Sequence, residues 1–168
     1  MIFTNIEKRK LKKDLFHTLI KIKNIESVTL VGSFWENSKY KDFSDIDIVI
    51  ILKKFNKKDY QECLKRITRL DLKKYNLGHL KTLVNPTFGP LKFNTNKNIV
   101  FHTMIYDVKG HVDHVLKSPF TCLDWERSLY FKGKSLKKIF PVGKIQLIDF
   151  FKSRRGISSY LSNLDKNQ

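Results

Sequence analysis

The hydrophobic pattern of this chain is clearest where two apolar runs are separated by a polar loop. The first run covers residues 26–31 and ends at Gly32-Ser33. The second covers residues 45–52, reads DIDIVIIL, and is apolar at every position after Asp47. A short run with apolar residues on both faces is typical of a strand buried inside a sheet. The pattern therefore predicts two strands, the second of them central.

The spacing of apolar residues predicts the other elements. Helices are predicted over residues 7–24, 33–40, 59–75, 122–131 and 145–164. Further strands are predicted over residues 80–85 and 99–107, and the loop between them is rich in turn residues. The predicted fold is α/β (α+β), with helices packed on a mixed sheet. We divide the chain into a core, residues 1–117, and a C-terminal helical segment, residues 118–168.

Two acidic residues open the predicted central strand. Because alternate side chains of a strand point to the same face, Asp45 and Asp47 project together, about 6–7 Å apart at their backbones. Such carboxylates repel each other unless a cation lies between them, and Mg²⁺ is commonly held by one or two carboxylates together with substrate phosphates. Gly32 offers a backbone without a Cβ and Ser33 offers a hydroxyl, both suited to a phosphate. These residues indicate a metal–nucleotide site.

Gly32-Ser33 followed by Ser44-Asp45-Ile46-Asp47-Ile48 resembles the signature of the DNA polymerase β-type nucleotidyltransferase superfamily, particularly its minimal members. The resemblance is strong over residues 27–52 and weak over residues 80–107. It implies that Gly32, Ser33 and Ser44 bind a nucleoside triphosphate and that Asp45 and Asp47 bind two Mg²⁺ ions. It also implies a third carboxylate, on a later strand, that completes the site and deprotonates the attacking hydroxyl.

Two departures from the family pattern affect this interpretation. Small members often have Arg-Gly shortly after the Gly-Ser pair, whereas this chain has Glu36-Asn37. The place expected for the third carboxylate is occupied by His102, and Asp107 lies at the far end of that strand, on the opposite face. Either His102 acts as base or ligand, or Asp107 serves from the strand end, or the site is incomplete.

The chain is strongly basic, since 33 basic residues against 16 acidic ones give a net charge of +17. The charge predicts a polyanionic partner such as RNA, DNA or a phosphorylated acceptor, although most of it is scattered lysine, which compositional bias would also produce. The two cysteines suit neither a disulfide framework nor a zinc site, and His111 and His114 are expected at the surface. Without a signal peptide or a long apolar run, the protein is expected to be cytoplasmic, without membrane insertion.

The leading hypothesis is a Mg²⁺-dependent nucleotidyltransferase that moves a nucleoside monophosphate from a nucleoside triphosphate to an unknown acceptor hydroxyl or phosphate. One alternative is a non-catalytic, antitoxin-like binding or regulatory protein with the same fold. Another is a basic nucleic-acid-binding protein that uses the acids structurally. The resemblance places acceptor binding in the C-terminal segment, where Trp125 is either a base-stacking platform or, as we favour, a core residue.

Overall fold

The computed structural model describes residues 4–36, 45–86 and 97–153. Five strands are β1 (Ile25–Val31), β2 (Asp45–Leu52), β3 (Lys81–Asn85), β4 (Asn98–Asp107) and β5 (Phe131–Gly133). The helices are α1 (Asn5–Leu19), α2 (Ser33–Glu36), α3 (Lys57–Thr68), α4 (Val108–Lys117), α5 (Pro119–Glu126), α6 (Leu136–Ile139) and α7 (residues 147–153), with a 3₁₀ turn at Leu72–Tyr75. In this part of the chain, no helix is long and apolar enough to cross a membrane.

The strands form one mixed sheet in the order β3-β4-β2-β1-β5. Strand β4 runs parallel to both β2 and β3, whereas β1 runs antiparallel to β2 and β5. The predicted mixed sheet and the central position of β2 are therefore confirmed. The antiparallel β1–β2 pair brings the end of β1 beside the start of β2, since Val31 is opposite Asp47.

Helices cover the two faces of the sheet unequally. Alternate residues of β2, including Ile46 and Ile48, point to a first face that packs against α1 and α3. The intervening Val49 and Ile51 point to a second face, where a smaller core is completed by α4, α5 and α6. Asp45 and Asp47 share this second face and lie near the start of β2, beyond the core residues. The second face is thus apolar at one end and acidic at the other.

Two predicted helices end earlier than expected. Helix α1 begins at the cap residue Thr4, which accepts a hydrogen bond from the Glu7 amide, and it ends at Leu19 rather than at residue 24. The helix predicted over residues 59–75 stops at Thr68. Asp71 then starts a separate 3₁₀ turn by accepting a hydrogen bond from the Lys73 amide, so the chain turns instead of extending one long helix.

The prediction of a helix over residues 122–131 is wrong beyond Glu126. The Ser128 hydroxyl donates to the Leu30 carbonyl over 2.6 Å, and the Leu30 amide donates to the Tyr130 carbonyl. These bonds hold the chain against β1, and Phe131 becomes the first residue of β5. Part of the predicted C-terminal segment therefore belongs to the sheet.

Helix α4 was not predicted, because a histidine occupies one of its core positions. His111 is 1% exposed, so its expected surface location is wrong. The side chains of His111 and Val115 form the buried side of α4. Because histidine is not counted as apolar, the hydrophobic pattern does not identify this side. Residues 37–40 and 154–164 of two further predicted helices lie outside the described part of the chain.

Candidate functional site

The candidate site lies on the second face, where β1 ends and β2 begins. Cross-strand pairing places Asp47 between Val31 of β1 and His102 of β4. Asp45 is two residues earlier on β2 and is opposite Val100. Both acidic side chains are half-buried, and the core helices cover only the far end of this face. The structure therefore brings together Asp45, Asp47 and His102, three residues that the sequence singles out.

Gly32 brings the end of β1 into direct contact with the acidic pair. Its φ of +80° is in the left-handed region, which favours glycine, and a Cβ at this position would collide with the Asp47 carboxylate oxygen. On the same turn, the indole nitrogen of Trp35 donates to the Asp47 carbonyl over 3.4 Å. The glycine is thus required by the close approach of the β1–α2 turn to Asp47.

Ser33 is exposed at the first position of α2, on the turn that Gly32 creates. Its hydroxyl is therefore available to a ligand next to the two acids. Ser44 and Asn37 lie outside the described residues, as does the side chain of Glu36, although Glu36 is the last residue of α2.

His102 links β4 to the acids and to β3. Its Nε2 donates to Asp45 Oδ2 over 3.3 Å, and its Nδ1 lies within hydrogen-bond distance, 3.1 Å, of the side-chain nitrogen of Asn85. Asn85 is the last residue of β3, is 7% exposed, and is in register with His102. Sequence reasoning missed Asn85. Its place at the end of a predicted strand was visible, but only the β3–β4 register shows that it reaches the site.

The close spacing of charged groups changes their acidity. Burial, with a smaller contribution from the neighbouring Asp45 charge, raises the pKa of Asp47 to about 6, and His102 partly opposes this rise. The hydrogen bond to Asp45 raises the pKa of His102, while burial of the ring works in the opposite direction. The charged form of Asp47 is therefore costly in the isolated protein, and a nearby cation would relieve that cost.

The donor atoms of the acidic pair suit a hard divalent cation. Carboxylate oxygens are the ligands that Mg²⁺ prefers, and few protein ligands suffice when substrate phosphates supply the others. Among the described residues, no cluster of three or more acidic, histidine or cysteine side chains is arranged to hold a metal ion. Asp45 and Asp47 thus fit a cation that nucleotide phosphates help to bind.

Asp107, the other candidate for the third carboxylate, lies elsewhere. It is opposite Leu52 at the far end of the β2–β4 pair, whereas Asp45 is opposite Val100. Its carboxylate accepts a hydrogen bond of 2.7 Å from the Gly110 amide and thereby caps α4. The structure does not bring Asp107 to the acidic pair, and its contacts are those of a helix cap.

Trp125 lies in the core of the second face. The side chain is 7% exposed, and its ring stacks on the His114 ring with centroids 5.2 Å apart. This placement agrees with the favoured interpretation of Trp125 as a core residue, since a ring enclosed in this way has no open face for a base.

Comparison with known protein families agrees with this geometry. Residues 9–139 match the family model described as "Nucleotidyltransferase domain". The match includes all five strands and the three clustered residues Asp45, Asp47 and His102. No curated protein and no solved structure matched the chain.

Proposed function

The chain belongs to the family of nucleotidyltransferase domains, and we propose that it transfers a nucleoside monophosphate from a nucleoside triphosphate to an acceptor hydroxyl or phosphate. One observation carries the proposal. The turn containing Gly32 and Ser33 contacts the carboxylate of Asp47, beside Asp45, on the part of the sheet face that the core helices leave uncovered. A phosphate-sized ligand at that turn would lie next to two carboxylates.

The proposed reaction is an in-line displacement at the α-phosphorus. A bond forms between the acceptor oxygen and the α-phosphorus, the bond from that phosphorus to the oxygen bridging the β-phosphate breaks, and pyrophosphate leaves. A divalent cation bound at the acidic pair would neutralise charge on the phosphate oxygens. In this scheme the proton of an acceptor hydroxyl passes to a carboxylate of the acidic pair.

The residues of the candidate site have distinct parts in this scheme. Asp45 and Asp47 hold the cation, and the raised pKa of Asp47 reflects a charge that the protein alone does not compensate. The Ser33 hydroxyl and the open backbone at Gly32 bind the triphosphate. His102 positions Asp45 through the bond from its Nε2. Asp107 has no part, because it caps α4 at the far end of the sheet.

Isothermal titration tests the proposal directly. Each nucleoside triphosphate is titrated into the wild type, with and without Mg²⁺, and into the double variant Asp45→Asn/Asp47→Asn. Binding that requires Mg²⁺ and is lost in the double variant supports the proposal and identifies the preferred base. Asp113→Asn/Asp124→Asn is a matched control, because it removes two charges from exposed or partly exposed positions on α4 and α5. Binding that is indifferent to Mg²⁺ and to the acids would refute it.

A second candidate function, nucleotide binding without transfer, is favoured by one observation. His102 occupies the position where the family resemblance implies a carboxylate, and its ring is hydrogen-bonded to Asp45. The two functions are separated by incubating the bound triphosphate with candidate acceptors and measuring pyrophosphate release. Release that is abolished by Asp47→Asn identifies transfer, whereas metal-dependent binding without release identifies the binding function.

A further inference from the structure

We propose that the β2–α3 corner, residues 53–58, binds single-stranded nucleic acid by stacking a base on Phe55 and holding the neighbouring phosphates with lysine side chains. The corner reads KKFNKK and follows directly from the last residue of β2. The candidate site lies at the other end of this eight-residue strand, roughly 23 Å away. The corner is therefore a second site, and its ligand is separate from the proposed function.

Phe55 is an aromatic side chain that the fold leaves in solvent. It is 48% exposed, and its ring lies against that of Tyr60, with centroids 5.7 Å apart and 48° between the ring planes. Tyr60 belongs to α3 and is half-buried, so it holds the Phe55 ring against the helix. About half of the Phe55 side chain remains open to a flat ligand. Every nucleobase has a face that stacks on such a ring, whatever its sequence.

Hydrogen bonds hold the backbone on both sides of Phe55. The Lys54 amide donates to Asn24 Oδ1 over 3.3 Å, and the side-chain nitrogen of Asn24 donates to the Lys54 carbonyl over 2.8 Å. Asn56 caps α3 by accepting from the Asp59 amide over 2.8 Å. Phe55 thus lies between two anchored residues, and little backbone freedom has to be lost when a base binds.

Lysine side chains flank the exposed ring. All six residues of the β2–α3 corner are exposed, and four of them are lysines, two before Phe55 and two after Asn56. Lys57 and Lys58 also line the open groove along α3, which continues to Lys65, eight residues or about 12 Å further on. A basic groove beside an aromatic ring is the combination by which proteins bind single strands.

The acidic residues of α3 are bonded to other groups. Asp59 accepts from the side-chain nitrogens of Asn24 and Asn56, over 2.8 and 2.6 Å, and Glu62 forms an ion pair of 2.7 Å with Arg66. Residues 53–66 contain six basic residues and these two acids, so they contribute +4 to the net charge of +17. The segment therefore attracts a polyanion.

The exposed ring decides which polyanion fits. An acidic protein segment would use the lysines but has no need of an aromatic face, and the bases of a duplex are already stacked on one another. A single strand offers phosphates and open bases together.

The test measures the affinity of labelled oligouridylate and oligothymidylate of equal length by fluorescence anisotropy. Phe55→Ala should weaken binding about tenfold, because one stacked base is lost. A strand of the same length without bases should bind the wild type and Phe55→Ala equally. The matched control is Phe131→Ala, which removes an exposed phenylalanine next to Lys132 on β5 and should bind like the wild type. The ratio of the two wild-type affinities identifies RNA or DNA as the preferred strand.

A second variant keeps the test decisive if Phe55→Ala does not fold. Phe55→Trp retains a ring that can stack, so it should keep wild-type affinity and show fluorescence quenching beyond that of the wild type when the strand binds. No binding of either strand by the wild type overturns the proposal. Unchanged affinity in Phe55→Ala, an equal loss in Phe131→Ala, an equal loss on the strand without bases, or no added quenching in Phe55→Trp also overturns it.

Discussion

At the scale of single residues, Asp47 shows how a side chain suited to binding destabilises the protein that carries it. Burial and the charge of Asp45 raise its pKa to about 6, so at neutral pH the folded chain holds an unfavourable carboxylate. Neither the close approach of Gly32 nor the bond from Trp35 to the Asp47 carbonyl removes that charge. The position is better suited to a protein–ligand complex than to the protein alone.

Asp47→Asn should therefore stabilise the metal-free protein while abolishing metal-dependent nucleotide binding. Because the pKa of the Asp47 carboxyl is raised to about 6, removing its charge should raise the free energy of unfolding at pH 7.5 by roughly 1–3 kcal/mol. Urea denaturation in the presence of a chelator measures the change. Asp124→Asn removes an exposed carboxylate from α5 and should leave stability unchanged. A loss of stability in Asp47→Asn would contradict this account of the site.

His111 is a second buried ionisable residue, far from the acidic pair in the fold. In the part of the chain that the structure describes, neither ring nitrogen of His111 has a hydrogen-bond partner. Burial lowers its pKa, with a smaller contribution from His114 in the same direction, and Glu126 opposes the shift. The fold therefore favours the neutral ring, and protonation of His111 destabilises the folded state relative to the unfolded state.

Acidification should accordingly destabilise the protein through His111. The unfolded ring takes up a proton near its ordinary pKa of 6.5 and the folded ring only at lower pH. Its contribution to stability is complete above pH 6.5 and is lost as pH falls from there through the lowered folded pKa, with a slope of up to about 1.4 kcal/mol per pH unit. Denaturation between pH 8 and 5 should show a shallower slope in His111→Leu than in the wild type. The exposed His17→Leu should keep the wild-type slope.

The residues of the site were predictable to different degrees. Asp45 and Asp47 were found because they open a strand that its apolar residues identify, and His102 was found because the family resemblance implies a carboxylate at its place on a later strand. Asn85 was not found, since nothing in a single sequence fixes the register of β3 against β4. The same lack of register left Asp107 as an alternative to His102, although it caps α4 at the other end of the strand pair.

At the scale of elements, β5 shows how one short strand closes the sheet edge beside β1. All three of its residues are exposed, so it carries no apolar alternation by which a sequence could identify it. Strands β2 and β4, in contrast, are dense in buried branched side chains and were predicted to within a residue. For strands, the hydrophobic pattern identified those that contribute to the core and missed β5, whose pairing is achieved through the backbone.

Gly133 is the residue that makes this pairing possible. Its φ is +87°, and a Cβ there would meet the Glu26 carbonyl oxygen of the neighbouring backbone. Gly133→Ala should lower the free energy of unfolding by about 2 kcal/mol or more, because left-handed strain and a backbone clash act together. Chemical denaturation provides the measurement. The control is Gly143→Ala, where an added Cβ meets nothing within 4 Å and stability should stay within about 0.5 kcal/mol.

At the scale of the whole molecule, part of the charge of +17 lies on a surface away from the candidate site. Lys57, Lys58 and Lys65 lie on the exposed side of α3 and line an open groove there. Helix α3 packs on the first face of the sheet, opposite the face that carries the acids. A polyanion bound along α3 would thus occupy a different surface from the nucleotide.

Binding of single-stranded RNA should therefore weaken steeply with salt and depend on α3. Replacing Lys57, Lys58 and Lys65 together by Gln should reduce the slope of log affinity against log salt concentration by about 2, since each phosphate contact contributes roughly 0.7. Fluorescence anisotropy with a labelled oligonucleotide over a range of KCl concentrations gives the slope. The triple variant of Lys132, Lys137 and Lys138, which are exposed on β5 and α6, makes an equal charge change away from α3. Equal slopes in the two variants would show that the charge acts without a defined surface.

The mixed pairing of β2 has a consequence for the order in which the protein folds. Its antiparallel partner β1 precedes it closely in the sequence, whereas its parallel partner β4 follows only after α3 and β3. Contacts between distant segments form later, because closing the longer loop costs more entropy. A nascent chain that ends before β4 already contains both acids on an unpaired, apolar strand edge, and such edges promote aggregation. When β4 pairs with β2, it covers that edge and places His102 beside Asp45. The sheet and the candidate site are therefore completed in the same step of folding.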